Sequence, residues 1–353
     1  MNAPTLAFWT DAEPLTCVHV LPETPDVATF TFRADSGALF RFLPGQFVTL
    51  ELPVPDGPLY RTYTISSSPS RPTSLTVTVK AQPGSQGGRW MLDHLRPGMR
   101  LKASGPGGDF STRTHPAAKY LFVSAGSGIT PMMSMLVEMY DAGADPDVVF
   151  VNCAKRPSQI IFRERLEHIA SRSTGIALTW VVSEPDPYVP WTGIRGRLSQ
   201  LVLGLVAPDY LDREVFCCGP EGFMLGVREA LTALGYDMAR YHQESFHAPI
   251  ADVTDAPEGD VVPDADARSR VSFARSGAET RVAETDTLLS AARAAGVALP
   301  SGCTFGVCGT CKVRALEGQV HMVHNGGITE EDIEAGYVLA CCSNPIGDVT
   351  LDI

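Results

Sequence analysis

Alternation of apolar and polar positions dominates the first third of the chain. Val27-Ala28-Thr29-Phe30-Thr31-Phe32, Phe47-Val48-Thr49-Leu50-Glu51-Leu52 and Ser74-Leu75-Thr76-Val77-Thr78-Val79-Lys80 alternate in this way, the period that turns one face of a strand towards a core. Turn residues separate them at Pro44-Gly45, Pro53 to Pro58, Pro69 to Pro72 and Gly105 to Gly108. Many short strands with such punctuation predict a small antiparallel β-barrel over residues 1–116.

From Lys119 the pattern changes. Tyr120-Leu121-Phe122-Val123-Ser124 is the run of a buried strand, and Ala125-Gly126-Ser127-Gly128-Ile129-Thr130-Pro131 leads from it into a helix over Met132 to Tyr140. Further strand and helix runs follow: Val148 to Cys153 with Phe162 to Ala170, Leu178 to Ser183, and Glu214 to Cys218 with Phe223 to Leu234. Alternation of this kind predicts a parallel sheet with crossover helices, an α/β domain over residues 117–247. Residues 248–268 carry Asp252, Asp255, Glu258, Asp260, Asp264 and Asp266, with three prolines and no base before Arg268. Low hydrophobicity with one sign of charge predicts an extended acidic tether. Residues 269–353 form a third domain.

Composition narrows the class. A chain of 353 residues suits two or three domains, and 44% hydrophobic residues allow packed cores. The formal charge of −12 argues against nucleic acid or an anionic membrane as partner. Nine cysteines are too sparse for a secreted disulfide scaffold. The N-terminus shows no basic stretch followed by an apolar one, and no run of eighteen apolar residues occurs. A cytoplasmic protein without a membrane span is the expectation.

The candidate chemistry is concentrated near the C-terminus. Cys303, Cys308, Cys311 and Cys341 read C-x4-C-x2-C followed, after about thirty residues, by C, the plant-type spacing for a [2Fe–2S] cluster held by four thiolates. Gly302, Gly306 and Gly309 allow the backbone to approach the sulfurs closely. Zinc is the alternative, but structural zinc usually takes two close cysteine pairs and only one is present. With Asp286 to Ala292 ahead of the loop and Glu334 to Cys341 approaching the last ligand, residues Arg270 to Ile353 resemble plant-type ferredoxins. The resemblance implies an α+β β-grasp domain with Cys341, not the adjacent Cys342, as fourth ligand. Thr304 departs from it, standing where many relatives carry a charge.

Arg61-Thr62-Tyr63-Thr64-Ile65-Ser66 lies between Pro44-Gly45-Gln46-Phe47 and the glycine-rich Gly84 to Trp90, with Gly98 opening a return strand. Together these resemble the flavin domain of the ferredoxin–NADP reductase superfamily. The resemblance implies FAD in preference to FMN, Arg61 on the pyrophosphate, Tyr63 against the isoalloxazine and Thr64 beside its N5. It also implies Val79 among the cofactor-binding positions and backbone N–H groups of Gly87 and Gly88 on the phosphates. Arg89 stands where many relatives carry Ser or Thr, which leaves open which of Gly87, Gly88 and Arg89 meets the pyrophosphate.

Gly126-Ser127-Gly128-Ile129-Thr130-Pro131 departs from the dinucleotide fingerprint, since Pro131 replaces its third glycine. After a strand it resembles the nicotinamide-dinucleotide loop of the same superfamily, and Cys217-Cys218-Gly219-Pro220-Glu221-Gly222-Phe223-Met224 resembles its C-G-P turn. Gly126, Gly128 and Thr130 would then hold the dinucleotide, with Cys218, Gly219 and Pro220 beside the nicotinamide. Lys155 and Arg156 follow a strand where a ribose-binding residue falls; basic residues there accommodate a 2′-phosphate. Relatives with a similar stretch, through Ile160-Ile161-Phe162-Arg163, use NADH, which the resemblance favours over NADPH. Tyr241 to Phe246 resembles the ending that returns to the flavin, implying Phe246 over the ring and Glu244 near N5. Cys17, Cys153 and Cys217 read as buried strand cysteines.

The domain order resembles that of reductase components of multicomponent Rieske-type oxygenases, the glycine-betaine monooxygenase reductase group above all, and reductases of hybrid-cluster proteins share it. It implies electron transfer from NAD(P)H through FAD and [2Fe–2S] to a Rieske-type oxygenase, with cofactors carrying the hard chemistry. Reduction of a hybrid-cluster protein or small acceptor, and a non-enzymatic iron–sulfur or zinc sensing module, are the alternatives. Arg61, Tyr63, Gly126, Gly128 and Cys218 weigh against the last. Glu330, Glu331, Asp332 and Glu334 offer an acidic face for a basic partner, or a solvated surface.

Overall fold

A computed structural model of the chain describes residues 7–246 except 56, 83, 144 and 145, and residues 263–353 except 265, 302–305, 307, 308, 325 and 326. Two compact units result. The first takes the described residues up to Leu59 and from Tyr63 to Phe246 and contains two sheets; the second takes Tyr60–Thr62 and the described residues after Phe246 and contains the third.

The first sheet uses β1 (Leu15–Thr24), β2 (Val27–Ala34), β3 (Phe47–Val54), β4 (Gly57–Thr64), β5 (Leu75–Lys80) and, after helix α1 (Gln86–His94), β6 (Arg100–Gly107). Its order is β4-β3-β6-β1-β2-β5. The period-two runs send Phe30, Phe32, Leu50, Leu52, Leu75 and Val77 into one core with Leu15 and Phe40. Helix α1 was not legible in the strand pattern, because Gly87 and Gly88 occupy its first turn. Glycine in a helix costs about 1 kcal/mol relative to alanine. Burial of Met91 and, just past its end, Leu95 one turn apart holds α1 against the barrel.

The second sheet is built from β7 (Lys119–Ala125), α2 (Ile129–Asp141), β8 (Asp147–Ala154), α3 (Arg163–Ala170), β9 (Ile176–Val182), β10 (Ile194–Arg195), α4 (Gln200–Val206), β11 (Glu214–Cys218), α5 (Glu221–Ala233) and β12 (Tyr241–Glu244). All its pairings are parallel, in the order β10-β9-β8-β7-β11-β12. The chain lays strands to one side of β7 and then to the other, so the β7–β11 boundary is a topological switch point. Phe122, Phe150 and Phe216 pack edge to face on this sheet, with centroids 5.8 Å apart for both Phe122 pairs. At its opposite end the buried Arg213 guanidinium donates to Tyr120 O (3.1 Å) and Asp209 (2.6 Å) and pairs with Asp147 (2.8 Å). Helix α2 begins three residues earlier than its apolar pattern predicts, since Pro131 sits in its first turn, where a missing N–H costs nothing.

Barrel and parallel sheet are joined through α2. Ser134 Oγ donates to Ser67 O (2.6 Å), and Ser70 Oγ (2.6 Å) and Arg71 Nε (2.8 Å) donate to Asp141 Oδ2. The loop after β4 is thereby fixed to the helix that opens at the switch point.

The third sheet has β13 (Arg268–Phe273), β14 (Ala278–Ala283), α6 (Leu288–Ala294), β15 (Lys312–Met322), α7 (Glu330–Glu334), β16 (Tyr337–Leu339) and β17 (Ser343–Leu351), ordered β14-β13-β17-β15-β16. Thr287 caps α6, its Oγ1 accepting from Ser290 N–H (3.2 Å). Most of the predicted tether, residues 248–262 and 265, lies outside the described residues. Arg268 belongs to β13, and Asp264 N–H donates to Glu284 Oε2 (3.2 Å).

Candidate electron-transfer site

The barrel closes between the two ends of its strand order. Ile65 bridges Val77, and Ser66 N–H donates to Thr76 O (2.8 Å). Thr64 is buried, while Arg61 and Tyr63 are half-buried. Behind them Ser66, Thr78 and Thr29 form a buried hydroxyl chain in 2.8 Å steps, and Thr29 Oγ1 donates to Glu23 Oε1 (2.6 Å). Arg61 Nη1 donates to Tyr60 O (2.8 Å). Val79 is only 2% exposed and packs in the barrel core.

The start of α1 meets the requirements of a phosphate. Gly87 and Gly88 are buried, and a Cβ on Gly88 would lie 2.9 Å from Lys80 O and from Ser85 Oγ. Ser85, the N-cap, has a buried Oγ with no hydrogen-bond partner. An unpartnered hydroxyl beside the outward N–H groups of a helix start fits an anion. Arg89 is instead engaged one turn along, its Nε donating to Asp93 Oδ2 (2.6 Å). A cavity of about 610 Å³ opens here, lined by Val54, Gln82, Ser85, Trp90 and His94 among others. Ser85 was missed from the sequence; its signal is a serine placed to cap a helix.

The switch point gathers the second set. Gly126 takes a positive φ of 56°. A Cβ on Gly128 would fall 2.2 Å from Cys218 O, and one on Gly219 would fall 3.1 Å from Ala125 Cβ. The glycine loop and the C-G-P turn therefore touch backbone to backbone. Thr130 is buried, its Oγ1 donating to Ser127 O (3.1 Å), and Pro220 caps α5. Cys218 stands beside Ser124 on one side and Glu244 on the other. Glu244 is partly exposed as a residue, yet its Oε2 is buried without a hydrogen-bond partner. Burial pushes its carboxyl up to about 8. Burial, and secondarily Glu244, raise the Cys218 thiol well above its ordinary range, so it stays protonated at neutral pH and is no nucleophile. Phe246 follows two residues on and is exposed. Arg156 Nε lies 3.4 Å from Glu184 Oε2.

In the third domain Cys311 and Cys341 are buried. Cys341 N–H donates to Cys311 Sγ (3.4 Å), Ala340 N–H to Cys311 O (3.1 Å), and Leu289 N–H of α6 to Ala340 O (2.8 Å). Gly306 and Gly309 take positive φ values of 76° and 68°. Cys342 Sγ donates to Leu339 O (3.6 Å). Cys303 and Cys308 lie outside the described residues, among which no group of three or more metal-ligating side chains converges. Two adjacent buried cysteines, with an N–H on sulfur, fit one side of a thiolate-held cluster.

Comparison with known proteins agrees with this layout. Residues 16–112 match the oxidoreductase FAD-binding domain, 122–229 the oxidoreductase NAD-binding domain and 271–345 the 2Fe-2S iron-sulfur cluster binding domain. The protein is an NAD(P)H-dependent flavin and iron–sulfur oxidoreductase. It is 65% identical over 347 residues to the stachydrine N-demethylase reductase subunit of Rhizobium meliloti, covering 98% of both chains. It is 45% identical over 361 residues to the glycine betaine monooxygenase reductase subunit of Pseudomonas aeruginosa, covering 100% of this chain and 98% of the relative. The chain belongs to this family of three-domain reductase subunits. Phthalate dioxygenase reductase shares the fold, with a TM-score of 0.63 at 21% identity over 98% of this chain and 100% of that one. No described helix is long and apolar enough to cross a membrane.

Proposed function

We propose that this chain is the reductase of a Rieske-type oxygenase acting on a small N-methylated compound of the stachydrine or glycine-betaine kind, the substrates in its relatives' names. The supporting observation is the switch point, where Gly128, Cys218 and Glu244 share one sheet edge and α2 ties that edge to the barrel. Bound FAD supplies the conversion of a hydride into single electrons, and the cluster carries them one at a time.

The chain's residues supply position and electrostatics. Gly126, Gly128 and the start of α2 receive the dinucleotide pyrophosphate. Cys218, Gly219 and Pro220 offer a flat, uncharged seat for the nicotinamide. Tyr63 and Phe246 would hold the isoalloxazine, and Thr64 would offer it a hydroxyl. Glu244, with its carboxyl near 8, holds a proton at Oε2 at neutral pH. Arg61, Ser85, Gly87 and Gly88 take the flavin pyrophosphate. Cys303, Cys308, Cys311 and Cys341 hold the cluster. A cytoplasmic location belongs to this reading and is supported by the described cysteines, none of which is in a disulfide.

The test is to mix protein reduced by NADH, without air, with the Rieske-type oxygenase encoded beside it. Reoxidation in proportion to the oxygenase, with demethylated product formed on adding substrate and oxygen, is expected. Reduced protein that keeps its electrons in the presence of the oxygenase, and yields them only to small acceptors, would overturn the proposal.

A further inference from the structure

Two histidines meet against the parallel sheet, and the proposed function gives them no role. His242 lies in β12, paired with Phe216 of β11, and His115 comes from the segment that joins the barrel to β7. Their imidazoles stack with centroids 3.7 Å apart and planes 20° from parallel. Both rings pack on Phe216, at 6.1 Å for His115 and 5.1 Å for His242. Phe110, earlier in the same segment, meets Phe216 edge to face at 5.2 Å. Side chains two apart on a strand share a face. His242 therefore shares its face with Glu244, and Phe216 shares its own with Cys218.

The charged groups around the pair come from four elements. His242 Nε2 donates to Glu214 Oε1 (2.7 Å), and Arg240 Nε donates to Glu214 Oε2 (3.1 Å). Glu214 opens β11, and its side chain is only 14% exposed. Tyr120 of β7 donates its hydroxyl to His115 O (3.5 Å). Arg113, two residues before His115, donates to Glu138 of α2 (2.8 Å). Burial first, and then His242, hold the His115 imidazole below the ordinary histidine range, against the opposing pull of Glu214 and Asp109.

Beyond these contacts β12 has little to hold it. It is a four-residue strand at the edge of its sheet, with β11 as its one strand partner among the described residues. A proton on His115 meets His242 face to face, and His242 opposes it. We propose that the His115–His242 stack is a proton-sensitive latch that positions β12, and with it Glu244 and Phe246, and that protonation of His115 releases this edge of the sheet. The folded protein favours neutral His115, so the latch is complete above the ordinary histidine value of 6.5 and is lost as pH falls below it. Both histidines act through β12 and are positioning residues. The inference rests on Glu244 and Phe246 belonging to the flavin and nicotinamide site.

The experiment follows backbone hydrogen exchange in the flavin- and cluster-loaded protein between about pH 8 and about pH 5, the window in which histidine titrates. Protection of Tyr241 to Glu244, corrected for intrinsic exchange, is compared with that of β8 in wild type, His115→Phe and His115→Ala. In the wild type, β12 protection relative to β8 should fall by about fivefold or more across the window. H115F keeps a ring against His242 and cannot be protonated, so its β12 protection should hold steady. H115A should exchange at the higher pH as fast as the acidified wild type. The ratio of wild type to H115F in kcat/KM for NADH, with ferricyanide as acceptor, should fall over the same window; taking the ratio cancels the titration of Glu244. A wild-type β12 whose relative protection changes less than about twofold, an H115F strand that loosens on acidification as the wild type does, or a flat kcat/KM ratio would overturn the inference. Failure of either nucleotide to reduce the bound flavin at any pH would overturn the proposed function instead, and the exchange data would still decide whether the latch exists.

Discussion

Replacing Gly128 by alanine perturbs a close contact between the glycine loop and the C-G-P turn. The new Cβ would lie 2.2 Å from Cys218 O, 2.4 Å from Cys218 C and 2.7 Å from Gly219 N. All three are backbone atoms, which cannot swing aside as a side chain does. Ordinary contact between non-bonded heavy atoms is about 3.5–4.0 Å, so the turn or the start of α2 must move by about 1 Å. A shift of that size at a substrate-positioning group costs about a hundredfold in rate, and overpacking costs about 1–3 kcal/mol of stability. Backbone preference contributes nothing, because Gly128 has φ −63° and ψ −3°, which alanine adopts readily. Gly126 is the matched control. Its φ is +56° and a Cβ there meets nothing within 4 Å, so alanine costs about 1–2 kcal/mol of left-handed strain without displacing Cys218. The assay is kcat/KM for NADH with ferricyanide as acceptor, read together with FAD content and a thermal melt. G128A should lose about a hundredfold in kcat/KM while retaining its flavin, and G126A should lose far less. A G128A protein within threefold of wild type, or a G126A protein more impaired than G128A, would refute the reasoning.

Three further outcomes follow from the same structure. Cys341→Ser should abolish the cluster's visible absorption while leaving the flavin spectrum, whereas Cys342→Ser should preserve both, because Cys342 turns its sulfur to Leu339 O. Glu244 is raised from 4.5 to about 8 by burial, so its contribution to stability is intact below about 4.5 and is lost as pH rises through 8. Urea unfolding of flavin-free protein should therefore show Glu244→Gln overtaking wild type across that window, by at most about 5 kcal/mol; parallel pH profiles would contradict the assignment. Asp209 is held down to about 2, first by Arg213 and then, against its own desolvation, by Lys119. Its contribution is present above the ordinary carboxylate range and disappears as pH falls through 2, so Asp209→Asn should flatten the acid limb of a stability profile.

The parts legible in the sequence are those where one face of an element is buried and the other is not. Phe30 and Phe32 alternate with threonines because β2 lines a barrel. Tyr120 to Ser124 is unbroken because β7 lies in the middle of a parallel sheet covered on both faces. Helix α4 was not legible: Gln200-Leu201-Val202-Leu203-Gly204-Leu205-Val206 is apolar nearly throughout, yet Leu201 and Leu205 are exposed, so no stripe marks its buried side. Ser85 was hidden by the glycine run that follows it.

The central claim is that one chain passes electrons from a nicotinamide through a flavin to an iron–sulfur cluster. The most direct measurement is the visible spectrum of protein purified without air, recorded before and after adding NADH and NADPH separately. Flavin and [2Fe–2S] bands should both be present at the start and both bleach with at least one of the two nucleotides. A colourless protein, or one whose cluster band persists after NADH has bleached the flavin, would contradict the account.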